Sequence, residues 1–375
     1  MDGAAAGSPT PLAAPPPASS PWQRLYAGAH RLRERWYRER ARRLPLPVIS
    51  VGNLHWGGGG KTPLVAAVAG HLRQRGVTVC ILSRGYGGGG RGVRVVSRGD
   101  GPLLGPAEAG DEPVQLAGEL PGVAVVVGAD RHRAGMEALA RLRPAPDLFL
   151  LDDGFSHLAL HRDLDLLAFP AADPFGGGRL WPGGRLREPL AVSARADAAL
   201  LTGAEAEESA AVIPGIGAAL AAALRPDGFT GPGFACALRA GAAILHGPAG
   251  TVPLAAGSRV LLVSAIARPE QFAATVGKLD FAVMEELRFP DHHAFPAASL
   301  ARIAARAAAS GAAAVLVTSK DRVKLLGRLA APLAELPVAA QPEPAFWSWL
   351  DAAADRLLVP RAAGSPAPAG GGPER

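Results

Sequence analysis

The sequence predicts an α/β fold with a mainly parallel sheet, followed by a second, smaller α/β unit, and three observations predict it. Short apolar runs alternate with Ala-rich segments of helical spacing from Pro47 onward. Several of these runs are apolar throughout instead of alternating, as strands covered on both faces are. One run ends in a glycine-rich loop closed by Lys61-Thr62, the layout of a phosphate-binding strand, loop and helix.

The chain has 375 residues, two or three domains at about 150 residues each. Hydrophobic residues make up 49%, enough for a buried core. The two cysteines, Cys80 and Cys236, lie far apart without CxxC spacing. That excludes a disulfide scaffold or zinc module and fits a reducing compartment. The net charge of +6 comes from one segment, residues 22–43, which holds eight arginines and two glutamates. The rest of the chain is neutral, so a nucleic-acid-binding body is not expected. No apolar run approaches about 18 residues, and the first basic residue is Arg24, so neither a membrane span nor a secretory signal is expected.

Residues 1–21 are rich in Pro, Ala and Ser and read as a disordered lead. Over 22–46, Trp22, Leu25, Tyr26, Ala29, Leu32 and Trp36 recur at spacings of three and four among arginines. Aromatics beside cations suit a helix lying on an anionic membrane surface; a solvated basic helix capping the first domain is the plainer alternative. Strands are expected at 47–51, 77–82, 123–127, 147–151, 164–169 and 197–202, within a nucleotide-binding domain spanning 47–228. A less structured stretch around 205–230 marks the boundary. Beyond it, FACALR and TVPL are expected to pair as a ribbon. The runs 260–263, 281–284 and 314–317 then build a smaller α/β domain over 229–360. Residues 361–375 read as a flexible tail.

In PVISVGNLHWGGGGKTPL a buried strand ends at Val51, and a helix starts at about Pro63. The residues between, His55, Trp56, Gly57, Gly58, Gly59, Gly60, Lys61 and Thr62, form a P-loop-like cradle. Its amides would face phosphate oxygens, with Lys61 on the β- and γ-phosphates and the Thr62 hydroxyl on Mg²⁺. Glycines allow the backbone to wrap closely around an anion. The match to GxxxxGK[ST] is imperfect, since His55 stands where the first glycine belongs. DLFLLDDGF supplies a second part: Asp152 and Asp153 at the C-terminal end of a strand, where open α/β sheets bind ligands, are candidate Mg²⁺ residues. Thr318-Ser319-Lys320-Asp321 has the wrong spacing for a guanine-reading motif, so ATP is the expected nucleotide. His157 and His161 have i,i+4 spacing, but without HExxH or a third ligand a zinc site is not expected.

PVISVGNLHWGGGGKTP, ILSRGYGG, GDEP, DDGFSH with LALHRDLDLL, GGRLREPL, FPDHHAF and TSKD.VKL occur in this order over residues 47–325. Together they resemble the tetraacyldisaccharide 4'-kinase (lipid A 4'-kinase) family, over about three-quarters of the chain. The resemblance implies a P-loop domain and a smaller Rossmann-like domain joined by a β-ribbon. It also implies an N-terminal membrane-associated helix and ATP-dependent phosphorylation of the 4'-hydroxyl of a tetraacylated disaccharide 1-phosphate. The expected location is the cytoplasmic face of the inner membrane, held peripherally, with no obligate protein partner. The sequence departs from the family pattern at His55 and Gly59, where Thr or Ser is usual, and at Ser156, where Gln is usual.

On this resemblance Asp111 in GDEP is the candidate base, and His292 in PDHH is the residue that holds it or relays its proton. An unperturbed Asp is a weak base for an alcohol, so its work would be to orient the hydroxyl and accept the proton late. Arg187 and Glu188 could serve a phosphate or form a plain charge pair, and Glu112 and Asp291 adjoin the proposed pair. Asp130-Arg131 end another strand, and Tyr86 in SRGYGG could pack on nucleotide or close its loop. Two other readings use the same loop: a P-loop ATPase that switches or delivers cargo to a protein partner, and a binding protein on a decayed P-loop. The first gives no reason for FPDHH or LREPL, and intact Lys61, Thr62, Asp152 and Asp111 argue against the second.

Overall fold

The computed structural model describes residues 12, 20–57, 60–204, 215–248 and 250–359. Most of the expected N-terminal lead, the expected tail, Gly58, Gly59 and residues 205–214 lie outside the described residues. The chain enters through α1 (Pro21–Arg38) and then builds β1 (Val48–Asn53), α2 (Lys61–Gln74), β2 (Val79–Ser83) and β3 (Arg94–Ser97). It continues with α3 (Pro106–Ala109), α4 (Asp111–Glu119), β4 (Ala124–Val127), α5 (Arg131–Arg141), β5 (Leu148–Asp152) and β6 (Leu164–Pro170). β7 (Ala198–Thr202), α6 (Ile216–Leu224) and β8 (Gly233–Ala240) complete this passage. A second sheet follows: β9 (Ile244–Gly247), β10 (Gly250–Pro253), β11 (Arg259–Ser264), α7 (Pro269–Gly277), β12 (Ala282–Arg288), α8 (Ala297–Ser310), β13 (Ala314–Thr318), α9 (Ser319–Leu325) and β14 (Leu333–Leu336). The chain then returns through β15 (Val338–Pro342) and ends in α10 (Pro344–Leu358).

The larger sheet has nine strands in the order β15-β8-β7-β6-β1-β5-β2-β4-β3, and the smaller has six in the order β10-β9-β14-β13-β11-β12. All six strands expected in the first domain are present. The inner strands of the large sheet are parallel and buried on both faces. Ile49 and Val51 join the core under α2, α4 and α10, and Val48 joins the opposite core under α5. Each such side chain, fully buried, contributes about 1.5–3 kcal/mol, which is why these runs read as uniformly apolar. The parallel arrangement brings Asn53, Ser83 and Asp152 to one edge of the sheet, together with the loops that follow them.

Two boundaries differ from the sequence expectation. FACALR does not pair with TVPL. It forms β8, which runs parallel to β7 and antiparallel to β15, whereas TVP pairs with β9. The ribbon joining the two sheets is therefore β8–β15, with the whole smaller unit inserted between its strands. Residues 338–358 consequently belong with the large sheet: Phe346, Leu350 and Ala354 of α10 share a core with Leu64 and Leu72 of α2. A pairing across some hundred residues leaves no mark in local periodicity. The N-terminal helix is also shorter than 22–46, ending at Arg38, and Leu44 beyond it is buried against α5, where it touches the Gly135 position.

Candidate active site

Gly60 caps α2 with φ of 72°, in the left-handed region that favours glycine. A Cβ there would come 3.1 Å from the Thr202 side chain. This places Lys61 and Thr62 in the first turn of α2, directly beyond the loop. Lys61 Nζ donates to Asn53 Oδ1 (3.0 Å) and pairs with Asp153 Oδ1 (3.0 Å). Arg187 grips the same Asp153 with both terminal nitrogens and also donates to the carbonyl of Asn53. Burial opposes the charge on Asp153, but Lys61 and Arg187 outweigh it and hold the carboxyl well below the usual range. In this arrangement the Arg187 fork is filled by Asp153.

Asp152 behaves oppositely. It is 2% exposed, and burial, then the charges of Glu112 and Asp153, push its carboxyl up to about 7. Ser83 donates to its Oδ2 (3.1 Å), while its Oδ1 is buried without a hydrogen-bond partner. An orphaned carboxylate oxygen at the strand end, near a threonine at the start of a helix, fits a hard divalent cation that keeps waters and phosphate oxygens as its other ligands. Arg131 is also buried here, beside Arg84, Asp152 and Asp153; burial and Arg84 lower its guanidinium to about 10. Asp130 caps α5 and pairs with Arg42.

Asp111 opens α4. The preceding Gly110 has φ of 90°, and a Cβ there would collide with the Tyr86 carbonyl, so only glycine fits. Asp111 Oδ2 meets His292 Nδ1 at 3.3 Å and Lys324 Nζ at 3.2 Å, both from the smaller sheet's side. Burial works against its charge, yet His292 and Lys324 prevail and keep the carboxyl below its usual range. The pairing of Asp111 with His292, 181 residues apart, is therefore present. His292 has φ of 60°, its Nε2 lies 3.3 Å from Lys320 Nζ, and the Tyr86 ring stands 5.2 Å from its own. Lys320 also reaches Asp291 (3.1 Å) and Glu112 (3.7 Å). His293 turns to Ser299 and stacks on Phe289 instead.

Glu188 is not at the mouth of the site. It is buried between His30 of α1 (3.1 Å) and Arg195 (3.2 Å), and so ties the helix to the body. Tyr26 reinforces this by donating to the carbonyl of Arg187 (2.9 Å). His55 is buried and neutral, lowered to about 4 mainly by burial, while Trp56 is exposed on the loop. His157 is likewise lowered to about 4, by burial and by Arg131. Sequence reasoning missed Lys320, Asp321 and Lys324. The available signal was the i,i+4 spacing of the two lysines in TSKD.VKL, which sets both on one face of α9.

With this geometry, comparison with known proteins is specific. The family model described as tetraacyldisaccharide-1-P 4'-kinase matches residues 18–355. The chain belongs to this family. A tetraacyldisaccharide 4'-kinase of Geobacter sulfurreducens is 40% identical over 324 residues, 84% of this chain and 85% of that protein. One from Geobacter metallireducens is 39% identical over 349 residues, 89% and 95% of the two chains. Among solved structures, LpxK from Aquifex aeolicus, crystallised with ATP, superposes with a TM-score of 0.69 at 32% identity, covering 90% of this chain and 98% of that one. Membership of a kinase family favours the kinase over the switch and binding-protein readings.

Proposed function

We infer that the protein transfers the γ-phosphoryl group of ATP to the 4'-hydroxyl of a tetraacylated glucosamine disaccharide 1-phosphate, a lipid A precursor. The observation that carries the reading is the junction at the start of α4. Asp111 is held by His292 and Lys324, while its neighbour Glu112 lies within electrostatic reach of Asp152. A proton acceptor for an alcohol and a phosphate-and-metal site are thereby adjacent, as in-line transfer to a hydroxyl requires.

In this reading the amides of 56–60 and Lys61 bind the triphosphate, and Thr62 and Asp152 hold Mg²⁺. When bound, that ion neutralises charge on the β- and γ-oxygens. Asp153, locked by Lys61 and Arg187, keeps both cations oriented instead of touching the ion. Asp111 orients the acceptor hydroxyl and takes its proton as the bond to phosphorus forms. His292, Lys320 and Asp291 hold that carboxylate in place, and Tyr86 closes the same corner.

Membrane contact falls to α1. Gln23, Tyr26 and His30 turn toward the body, whereas Trp22, Leu25, Leu32 and Trp36 remain 50–70% exposed along one face. No helix among the described residues is long and apolar enough to cross a membrane. An apolar stripe flanked by arginines suits peripheral attachment to anionic lipid, at the cytoplasmic face of the inner membrane. The test is transfer of labelled γ-phosphate from Mg-ATP to a tetraacyl disaccharide 1-phosphate in detergent, resolved by thin-layer chromatography. Labelled lipid is the expected product, and its absence at every enzyme concentration refutes the assignment.

A further inference from the structure

Arg268 lies in the loop between β11 and α7, on the smaller sheet. It is 7% exposed, and its Nε and one terminal nitrogen are buried without a hydrogen-bond partner among the described residues. A guanidinium placed for structural reasons normally has its donors bonded, because an unsatisfied buried donor is costly. Its surroundings sharpen the anomaly. Burial and then the charge of Arg185 act against the Arg268 cation, while Asp173 and Glu270 act for it. Asp173 is partly committed elsewhere, since its Oδ1 accepts from the Gly177 amide (3.1 Å). Arg268 is also the residue that caps the N-terminus of α7, where the helix dipole disfavours a cation.

The place is the outer edge of the phosphate loop. The loop at Gly57 comes within 3.5 Å of Ala267, measured from an added Cβ, and the Trp56 amide donates to the carbonyl of Arg185 (2.9 Å). His55, buried, neutral and within electrostatic reach of both arginines, adds no third positive charge. Arg268 and Arg185, carried by the two different units, therefore lie within electrostatic reach of each other and of His55 beside this loop, and two of the Arg268 nitrogens lack partners among the described residues.

The geometry points to a second phosphate-recognition subsite, made by Arg268 with Arg185. It takes a phosphate group of a bound substrate: either one of the nucleotide's phosphates or the 1-phosphate of the acceptor. The inference rests on the kinase reading above and gives the smaller sheet a direct role in substrate recognition. A planar fork with free donors is suited to phosphate oxygens, so charge alone would not replace it.

The test uses the full chain with Arg268→Gln and Arg268→Lys, which keep most of the buried volume. Equilibrium binding of ATP and of the acceptor is measured separately, alongside kcat, both KM values and the melting temperature. Loss of a charge-assisted phosphate contact is expected to weaken one ligand about tenfold or more in Arg268→Gln, with Arg268→Lys recovering only part. If the affected ligand is the acceptor, an acceptor lacking the 1-phosphate is expected to bind both proteins alike; if it is ATP, that acceptor leaves the ATP defect in place. Binding of both ligands within twofold of wild type overturns the subsite, as does a fall in melting temperature with dissociation constants unchanged. Failure of the wild-type protein to phosphorylate the acceptor overturns the kinase reading instead, and the binding arm still decides the subsite.

Discussion

Lys324 Nζ lies 3.2 Å from Asp111 Oδ2, an ion pair that crosses from α9 of the smaller sheet to α4 of the larger. The same ammonium lies 2.8 Å from Asp321, which is fully buried and accepts the Ala265 amide. One buried cation therefore serves two carboxylates, and the proposed base depends on a residue contributed by the other unit. Together with His292 it holds Asp111 ionised against burial, so the carboxylate is available near neutral pH.

Replacing Lys324 with Met is expected to lower kcat at least tenfold and to move the acid limb of the pH–rate profile upward. The sign follows from Asp111, whose carboxyl is depressed in the folded protein and rises when the cation is removed. Removing one partner of a buried pair also destabilises by about 3–5 kcal/mol, so melting is measured in parallel. Lys324→Arg, which keeps the charge, should retain the acid limb; an unmoved limb in Lys324→Met would show that Asp111 is not the titrating base.

Asp152→Asn separates stability from activity. The folded carboxyl is raised to about 7, above its ordinary 3.8, so ionising it costs stability as pH rises from about 4 through 7. Without added metal, the amide variant is expected to melt at a higher temperature than wild type at pH 8 and equally at pH 4. Adding Mg²⁺ should then stabilise wild type but not the variant, and the variant should lose transfer activity. Equal stabilisation of both proteins by Mg²⁺ would remove Asp152 from the metal site.

The apolar face of α1 gives a membrane prediction. Leu25→Ser with Leu32→Ser and Trp36→Ser removes exposed side chains and none of the docking residues Tyr26, His30 or Glu34. Binding to vesicles containing anionic phospholipid should fall about tenfold or more, with the melting temperature unchanged. Unaltered co-sedimentation would mean that α1 is only a cap on the domain.

How much of this was legible in the sequence depended on the range of the interaction. The strand–loop–helix at 48–74 and the acidic strand end at 152–153 are local patterns, and both appear where the pattern put them. The β8–β15 pairing, the Lys324 bridge and the placement of Arg268 beside residue 55 depend on contacts between distant segments, which spacing cannot register. Glu188 shows a subtler limit. Its adjacency to Arg187 suggested a shared task, yet in the bend at 187–188 the two side chains part, one to Asp153 and the other to His30 of α1.

The Glu188 anchor also sets how the protein fails in acid. Burial opposes its charge, but His30, Ser156 and Arg195 prevail and lower the carboxyl from 4.5 to about 2. A depressed carboxylate stabilises the fold fully above its unfolded value, and that contribution is lost as pH falls through the folded one. Over the window from about pH 4.5 to pH 2 the depression amounts to about 3 kcal/mol. Glu188→Gln should lack that share of the acid slope in chemical denaturation and be less stable than wild type at pH 7. Because the lost contacts are those of α1, the variant should also be cleaved faster by trypsin within residues 24–43, which hold eight arginines. Matching cleavage rates in the two proteins would mean that Tyr26, together with Arg33, which donates to the Ser156 carbonyl (3.2 Å), holds the helix without Glu188.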